Sequence, residues 1–482
     1  MPRLAAVSRV LGILVAAYSF TMLVPAVVSL IYHDGQAIHF VEGFLVTLAL
    51  GLVMWLPVRH TTHELRGRDG FLLVTLYWVV LSAASSLPFH FSPHLNFADA
   101  VFEAVSGFTT TGATTIVDVN AVPKSILYYR AQLNWLGGMG LIVLAIAILP
   151  LLRVGGSQMF KAETPGPFKD EKLTPRIADT ARALWLIYVG MTVVNILAFW
   201  AAGMTFYDAV CQAFATMATG GFATHNSSFA YWNSPAISGI ADVFMFLSGM
   251  NFALHYMALR KGRLSVYWAD AEARWYTAFV AVSIVVVSFT LLFTHTYSTL
   301  GAALNYGAFQ VLTVITCTGF TSANFGTWPL YLPTLLMMLA IIGGSAGSTA
   351  GGMKVVRVYL VVKQSFREFR RILHPRAEIP VKLDDIVLPQ RVVSAIWGFL
   401  AAYILVYLFF MLALMAAGMN WYSSFAAVSA CLNNMGAGLG QVGANFAHIS
   451  QAATWICSVS MLVGRLEIFT FLVIFTPMYW RS

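Results

Sequence analysis

The sequence predicts an all-α polytopic membrane protein in which four similar units surround one axis and two further helices precede them. Hydrophobic residues make up 59% of the 482 positions and charged residues only 10%, with a mean hydropathy of +0.75. Soluble domains carry about 25% charged residues. Long uncharged runs recur along the whole chain, and four short apolar segments between them each end near a glycine.

The uncharged runs are long enough to cross a bilayer as helices, because a helix satisfies its own backbone hydrogen bonds in lipid. The first run also resembles the apolar part of a signal peptide, but it is long and no convincing small-residue cleavage site follows it. We therefore predict a helix there. The runs lie near residues 10–31, 38–57, 71–89, 125–150, 183–203, 236–259, 275–294, 329–362, 392–417 and 453–478.

Positive charge alternates between the two sides of the predicted membrane. All but three of the 28 lysines and arginines lie at the termini or in every second loop, the exceptions being Lys124, Arg130 and Arg465. The positive-inside rule then predicts that both termini and all the basic loops are cytoplasmic. The net charge of +8 thus reflects topology, and binding to nucleic acid is not indicated because the basic residues share no single face.

Four segments too short to cross the bilayer lie on the external side, between successive spans. Each consists of about three turns of predicted helix followed by a break that contains a glycine. We align the breaks on Gly112, Gly221, Gly319 and Gly436. The segments read NFADAVFEAVSGFTTTGA (96–113), TFYDAVCQAFATMATGGF (205–222), LNYGAFQVLTVITCTGF (304–320) and NWYSSFAAVSACLNNMGA (420–437).

The start of each short helix is also similar. Asp99, Asp208 and Ser423 each stand thirteen positions before the glycine, where an acidic or hydroxyl side chain can cap free amides. The third segment has Tyr306 at this position and is expected to lack the cap.

The four glycines are 109, 98 and 117 residues apart, and each interval holds one in-going and one out-going span. This arrangement predicts four helix–pore-helix–helix repeats around a central pore, plus two N-terminal helices. Small residues in membrane spans commonly serve close helix packing, but four segments in register on the same side argue for more than packing. The predicted boundaries are 1–66 for the N-terminal helix pair, 67–160, 161–262, 263–380 and 381–482 for the repeats.

Non-helical backbone at membrane depth persists only where it is buried in protein or faces a water-filled cavity. Four converging breaks would offer rings of carbonyl oxygens that replace the hydration shell of a monovalent cation, and the negative ends of the short helices would point toward it. Since the side chains before the glycines vary, we expect the backbone to coordinate. The candidate filter residues are Thr110, Thr111, Gly112, Thr219, Gly220, Gly221, Cys317, Thr318, Gly319, Asn434, Met435 and Gly436.

Further motifs resemble the Trk/Ktr/HKT potassium transporters, most closely the bacterial TrkH/TrkG type. They are NWLGGMGLIVLAIAILP (134–150), GGSAGSTAGGMKVVR (343–357), NNMGAGLG (433–440) and GRLEIFT (464–470), and the resemblance covers essentially the whole chain. It implies potassium uptake across the bacterial inner membrane, with potassium as transported substrate and no tightly bound cofactor. It also implies that glycine at all four filter positions favours potassium, and that serine in the first loop permits sodium.

The resemblance further implies two kinds of partner. A TrkA-type cytoplasmic regulatory subunit would bind the nucleotide, NAD or ATP/ADP, and its ligand state would drive the gate. The family also forms homodimers with one pore per subunit. Lys354, Arg357, Arg367 and Arg370, together with loop 153–182, would dock the regulatory subunit, although these residues also fit an ordinary positive-inside flank.

The glycine-rich stretch 343–352 interrupts the in-going span of the third repeat. By resemblance it is an intramembrane gate. A kink without function is the alternative, whereas a hydrolase elbow or a Walker A loop would need strands that are not predicted here. The candidate gate residues are Gly343, Gly344, Ser345, Gly347, Ser348, Gly351, Gly352 and Arg465.

Arg465 lies within the last span, where a charge is costly unless it has a partner or faces water. It either pairs with a buried carboxylate such as Glu467 or Glu103, or lies beside the ion path below the filter, as the resemblance implies.

Two other classes of function compete with a pore. A secondary transporter of a small solute or cation, coupled to sodium or protons, would use broken helices and embedded carboxylates, and we identify no such carboxylate in the sequence. An intramembrane hydrolase built on Ser345 would need His255, a distant candidate. We therefore expect no enzyme activity.

Overall fold

The computed structural model describes residues 2–61, 67–92, 95–147, 177–377, 379–383 and 386–480. In these ranges the chain is helical apart from loops and one short antiparallel ladder, in which β1 (Lys382–Leu383) pairs with β2 (Ile386–Val387). Six described helices are long and apolar enough to cross a membrane, or up to eight if each of two bent helix pairs counts as one span. The predicted all-α polytopic membrane fold is confirmed.

The N-terminal helices pack tightly on each other and on the first unit. A Cβ on Gly51 would lie 2.6 Å from the amide nitrogen of Ala16, so the first and third of these helices approach as closely as small residues allow. In the following loop, Asp34 Oδ2 accepts a hydrogen bond from the N–H of Ser125 (2.9 Å) at the start of a later helix. These helices are α1 (Pro2–Ser19), α2 (Leu23–Tyr32) and α3 (Ala37–Trp55).

Each of the four units begins with a long apolar helix. Its outer face carries exposed large side chains, such as Phe289 and Phe409, both 66% exposed. A soluble monomer rarely exposes apolar patches of that kind, but lipid solvates them. The four helices are α4 (Gly67–Ser85), which α5 (Leu87–Phe91) follows, α8 (Ile177–Ala201), α13 (Ala271–Phe293) and α17 (Gln390–Ala416).

A short helix comes next in every unit and is buried along most of its length. Its N-terminus is capped in all four units by a side chain outside the helix, which corrects the predicted caps. Thr299 caps the third unit and accepts from the N–H of Ala302 (3.2 Å), and Tyr306 lies inside that helix because it begins earlier than expected. The short helices are α6 (Phe97–Phe108), α9 (Phe206–Met217), α14 (Leu300–Ile315) and α18 (Trp421–Leu432).

In the other three units the cap lies three residues before the predicted position. The side chains of Asn96, Thr205 and Asn420 accept the N–H of Asp99 (2.9 Å), Asp208 (3.1 Å) and Ser423 (2.8 Å), respectively. Asp99 and Asp208 also accept hydrogen bonds from the cap side chains, so the cap residue and the third helical residue are bonded to each other in both directions.

The returning spans differ from their predicted course. Only the third was expected to break, yet two others bend sharply within the predicted runs 236–259 and 453–478, by 95° between Ser248 and Phe252 and by 103° between Arg465 and Phe469. In the first unit α7 is continuous to Ala147, where the described range ends. The returning helices are α7 (Lys124–Ala147), α10 (Pro235–Ser248), α11 (Phe252–Lys261), α15 (Leu332–Ile342), α16 (Val355–Leu373), α19 (Gln451–Arg465) and α20 (Phe469–Leu472); the remaining short helices are α12 (Ser265–Ala269) and α21 (Pro477–Trp480).

Candidate ion-conduction pathway

The four glycine-bearing breaks share one backbone conformation. The residue two positions before the glycine has a left-handed φ, the next residue does not, and the glycine is left-handed again. Alternation of this kind turns successive carbonyls toward one side of the chain, whereas a strand directs them to alternate sides. The left-handed pairs are Thr110 (φ 55°) and Gly112 (79°), Thr219 (51°) and Gly221 (75°), Cys317 (55°) and Gly319 (83°), and Asn434 (54°) and Gly436 (79°).

The amide between the two left-handed residues is used inside the unit. In every break it donates to the carbonyl five residues earlier, in the short helix, as in the Schellman motif that ends many helices. The N···O distances are 2.8 Å from Thr111 to Ser106, 2.8 Å from Gly220 to Ala215, 2.7 Å from Thr318 to Thr313 and 2.8 Å from Met435 to Ala430.

The carbonyl oxygens of the breaks have almost no donors. Within the described part of the chain, the carbonyl of Met435 accepts from the N–H of Ala437 (3.0 Å), and no N–H or hydroxyl reaches those of the other eleven filter candidates. The residues are buried, except for Gly112, Gly221 and Gly319, which are half-buried. A buried carbonyl without a partner costs about 1–3 kcal/mol. The breaks therefore suit a cation that oxygen atoms can coordinate.

The breaks also form a closed ring. A Cβ added to Gly112 would collide with the carbonyl oxygen of Gly220, and one added to Gly221 would collide with that of Thr318. Likewise Gly319 faces the carbonyl of Met435, and Gly436 faces that of Thr111. Each glycine thus packs against the residue before the glycine of the next unit, and the fourth unit returns to the first.

Two of the left-handed positions carry threonine. A β-branched residue is an outlier in this conformation, at a cost of about 1–2 kcal/mol for each residue. Strain of that size persists where the surroundings enforce it and often marks a functional site. Thr110 and Thr219 are both buried, which fits backbone held in place by its neighbours.

The interrupted stretch 343–352 lies against these breaks. Thr349 Oγ1 is 3.3 Å from Thr219 Oγ1 and 3.2 Å from the carbonyl oxygen of Met217. Gly351 packs against the carbonyl of Asn433, at the end of α18. The stretch therefore contacts loops of the second and fourth units at once, as the predicted gate requires.

Hydrogen bonds fix the same stretch to the bend between α10 and α11. The N–H of Ser345 donates to the carbonyl of Gly249 (2.8 Å), and that of Phe252 to Gly347 (3.1 Å). Ser348 Oγ closes a turn on the carbonyl of Ser345 (2.6 Å). This bend, which was not predicted, thus holds the interrupted stretch in place; Gly249 and the helix-capping Asn251 are its signals in the sequence.

The two ends of the stretch meet. A Cβ on Gly343 would collide with the carbonyl of Gly351 and lie 2.8 Å from the Cα of Gly352. The N–H of Met353 donates to the carbonyl of Ile341 (2.9 Å), and that of Val355 to Gly344 (2.9 Å). The stretch is therefore a loop that leaves the path of α15 and α16 and returns to it.

Arg465 contacts the loop directly. Its Nη1 donates to the carbonyl of Thr349 (3.1 Å), and its Nη2 to that of Gly137 (3.4 Å), a glycine packed against the end of α6. The expected ion pair with Glu467 or Glu103 is wrong: Glu467 accepts from Arg357 (2.6 Å) and Glu103 from Arg130 (3.0 Å). Glu467 lies beyond the bend that follows Arg465, and Glu103 on α6 faces Arg130 of the neighbouring α7.

The four residues predicted to dock a partner lie in different surroundings. Lys354 and Arg357 are each only 6% exposed, and the Lys354 ammonium donates to the carbonyl of Ala350. Little of either side chain is left for a partner to contact. Arg370 is exposed, and Arg367 donates to Gln390 Oε1 (3.2 Å). Most of loop 153–182 lies outside the described residues.

An embedded carboxylate that was not predicted lies in the second unit. Asp242 lies in the middle of α10, and its Oδ1 atom is buried without a hydrogen-bond donor among the described residues. His255, by contrast, is engaged on both ring nitrogens, by the Tyr267 hydroxyl (2.8 Å) and the Leu247 carbonyl (2.9 Å). A hydrolase built on Ser345 therefore gains no support.

Comparison with known proteins gives one consistent result. The family profile TrkH, described as a cation transport protein, matches residues 36–482. The chain is 48% identical to the Trk system potassium uptake protein TrkH of Escherichia coli K12, with 99% of both chains covered, and 37% identical to TrkG of the same strain, with 99% of this chain and 98% of TrkG covered. The crystal structure of the potassium transporter TrkH from Vibrio parahaemolyticus matches with a TM-score of 0.92 at 46% identity, again over 99% of both chains.

Proposed function

Because the chain belongs to the TrkH family of cation transport proteins, we propose that it takes up potassium ions through a filter formed by the four breaks. Family membership also makes it a transport protein and not an enzyme. The observation that carries the proposal is the closed ring of buried carbonyls without donors. Rings of this kind can replace the hydration shell of potassium, and potassium is then the substrate rather than a resident cofactor.

The loop 343–352 is the gate in this proposal, and Arg465 holds it closed. Its contacts with Met217 and Thr219 in the second unit and with Asn433 in the fourth support a position at the inner end of two filter-bearing segments, where it would obstruct ions that leave the filter. The Arg465 cation is hydrogen-bonded to the loop, so movement of the loop would also displace a charge that repels potassium.

The remaining features follow from the relatives' names and from the charge pattern. The chain would lie in the bacterial inner membrane with both termini in the cytoplasm, and its four repeats would have the boundaries predicted above. A TrkA-type nucleotide-binding subunit would drive the gate from the cytoplasm, with Arg370 as the exposed contact among the four candidates, and two copies of the chain would associate. The names of the relatives, which refer to a Trk system, support a regulatory partner.

Asp242 favours one alternative, in which potassium uptake is coupled to protons. An ionisable group within a span is by default a candidate for function, and this carboxylate has a buried oxygen without a donor among the described residues. In this alternative Asp242→Asn would abolish the dependence of uptake on a proton gradient, whereas in a passive pore the variant would leave that dependence unchanged.

Potassium-limited growth of an uptake-deficient bacterium that supplies the regulatory subunit tests the proposed function. We expect the wild type to restore growth and Gly112→Ser to lose potassium preference by about tenfold or more, a change of about 1.4 kcal/mol, because its Cβ meets the carbonyl of Gly220 at positive φ.

Gly398→Ser is the matched control, since a Cβ there has open space. Failure of the wild type to restore growth would exclude potassium uptake. An unchanged ion preference in Gly112→Ser would exclude the filter.

A further inference from the structure

A second fourfold pattern lies nine residues before each filter glycine. These positions hold Glu103, Gln212, Gln310 and Ala427, and all four residues are completely buried. In the first three units the side chain reaches the residue three positions after the glycine. It therefore connects the short helix to the segment that leaves the filter on its outer side.

The three polar side chains make hydrogen bonds at corresponding positions of their units. Glu103 Oε1 accepts from the N–H of Thr115 (2.7 Å), Gln212 Nε2 donates to Thr224 Oγ1 (3.3 Å), and Gln310 Oε1 accepts from the N–H of Ser322 (3.1 Å). The fourth unit has only apolar side chains, Ala427 and Leu439, at the two positions. Three of the four loops are thus braced by a hydrogen bond.

Only the first brace is charged. Glu103 Oε2 accepts from Arg130 Nε (3.0 Å), and the two side chains are 0% and 2% exposed. Glu103 Oε1 also accepts from Thr114 Oγ1 (2.6 Å), so every described donor around the carboxylate belongs to the first unit. A buried pair of this kind is costly to break, because removal of one partner leaves the other charge uncompensated.

Arg130 extends the connection to the second unit. Its guanidinium carbon lies 4.0 Å from the ring centre of Phe222, the residue that follows the filter glycine Gly221. The N–H of Phe222 also donates to Asn134 Oδ1 (3.3 Å), and Asn134 Nδ2 donates to the carbonyl of Gly107 (2.9 Å). Two sets of contacts therefore join the first pore segment to the second filter loop, one through the Arg130 guanidinium and one through the Asn134 amide.

From these contacts we infer that Glu103 and Arg130 are a positioning pair, which fixes the first filter loop against the second and thereby sets the discrimination between potassium and sodium. The inference rests on the proposed filter. Discrimination by carbonyl rings depends on the placement and number of the oxygens, so a loop released on one side of the ring would accept the smaller ion more readily.

The ratio of potassium to sodium inhibition of rubidium uptake tests the inference in vesicles that contain the purified full-length chain. We expect Glu103→Gln and Arg130→Gln each to lower this ratio by about two- to thirtyfold, the range that corresponds to couplings of residues behind a site. The glutamine variant preserves a brace like that of Gln310 and removes only the charge.

The double variant Glu103→Gln/Arg130→Gln separates positioning from folding. It leaves no uncompensated charge, so we expect it to fold and transport, with a ratio still below that of the wild type because no cation packs on Phe222. Arg130→Lys should restore part of the ratio. Lys124→Gln is the matched control, since it removes an exposed cation from the same helix, above the rings of Tyr32 and Tyr207.

The outcomes distinguish this inference from the proposed function. If Gly112→Ser lowers the ratio but the Glu103 and Arg130 variants keep the wild-type value, the positioning pair is wrong and the filter stands. If Gly112→Ser also leaves the ratio unchanged, the filter itself is wrong. A wild-type ratio in the double variant alone would mean that the single variants act only through an unpaired charge, which also overturns the inference.

Discussion

At the scale of single residues, backbone conformation matters more than side-chain chemistry along the proposed ion path. The left-handed positions before the glycines hold threonine twice, cysteine and asparagine, side chains with little in common. Their φ values nevertheless agree within a few degrees, and their carbonyls lack donors in the same way. Glycine, in contrast, is required at four positions by both positive φ and a facing carbonyl.

We therefore predict that Thr110→Val keeps the ion preference of the wild type. Valine is β-branched and nearly isosteric with threonine, so it tolerates the left-handed position equally well, and Thr110 Oγ1 has no hydrogen-bond partner to lose among the described residues. We expect the ratio of potassium to sodium inhibition of rubidium uptake to stay within about twofold of the wild type, or about 0.4 kcal/mol, because valine keeps the shape of threonine and no hydrogen bond is lost. A ratio close to one would mean that the hydroxyl, and not the carbonyl, coordinates the ion.

At the scale of elements, the breaks in the returning spans act together. The bend after α10 supplies carbonyl and amide partners for the loop between α15 and α16, and the end of α19 supplies Arg465. Each break on its own would leave backbone groups without partners in the membrane. Packed together, the breaks form hydrogen bonds with one another and hold the loop against the filter.

Deletion of residues 345–350 is expected to raise ion flux through vesicles that contain the purified chain. The loop ends already touch near Gly343 and Gly352, so the deletion should leave α15 and α16 joined, and it removes Thr349, the partner of Arg465. We expect an increase of about tenfold or more, the effect of removing about 1.4 kcal/mol of barrier. Unchanged flux in a correctly folded variant would mean that the loop does not obstruct the path.

At the scale of the whole molecule, one chain supplies four units of similar build, and the filter glycine of each unit packs against the next unit until the fourth returns to the first. Much of this was predictable from the sequence: the apolar runs, the four segments in register and the interruption at 343–352. These features could be predicted because each of them, including the position of Gly112 and its counterparts, is visible within one continuous stretch of the sequence.

The remainder depends on three-dimensional packing. The partners of Arg465, Glu467 and Glu103 are far from them in sequence, and charge alone does not distinguish one arginine from another. The bends after α10 and α19 lie in runs whose mean hydropathy still qualifies them as single spans, so hydropathy carries no signal for the bends. The caps were misplaced by three residues because acidic residues suit both the cap and the third helical position.

The most direct test of the filter is competition for rubidium uptake in vesicles that contain the purified wild-type chain and, in parallel, serine variants of Gly112, Gly221, Gly319 and Gly436. We expect potassium to inhibit uptake far more strongly than sodium in the wild type, and each of the four variants to lose most of this difference, because the four glycines occupy equivalent places in one ring. Equal inhibition by the two ions in the wild type, or an undiminished difference in all four variants, would contradict a potassium filter built from these carbonyls.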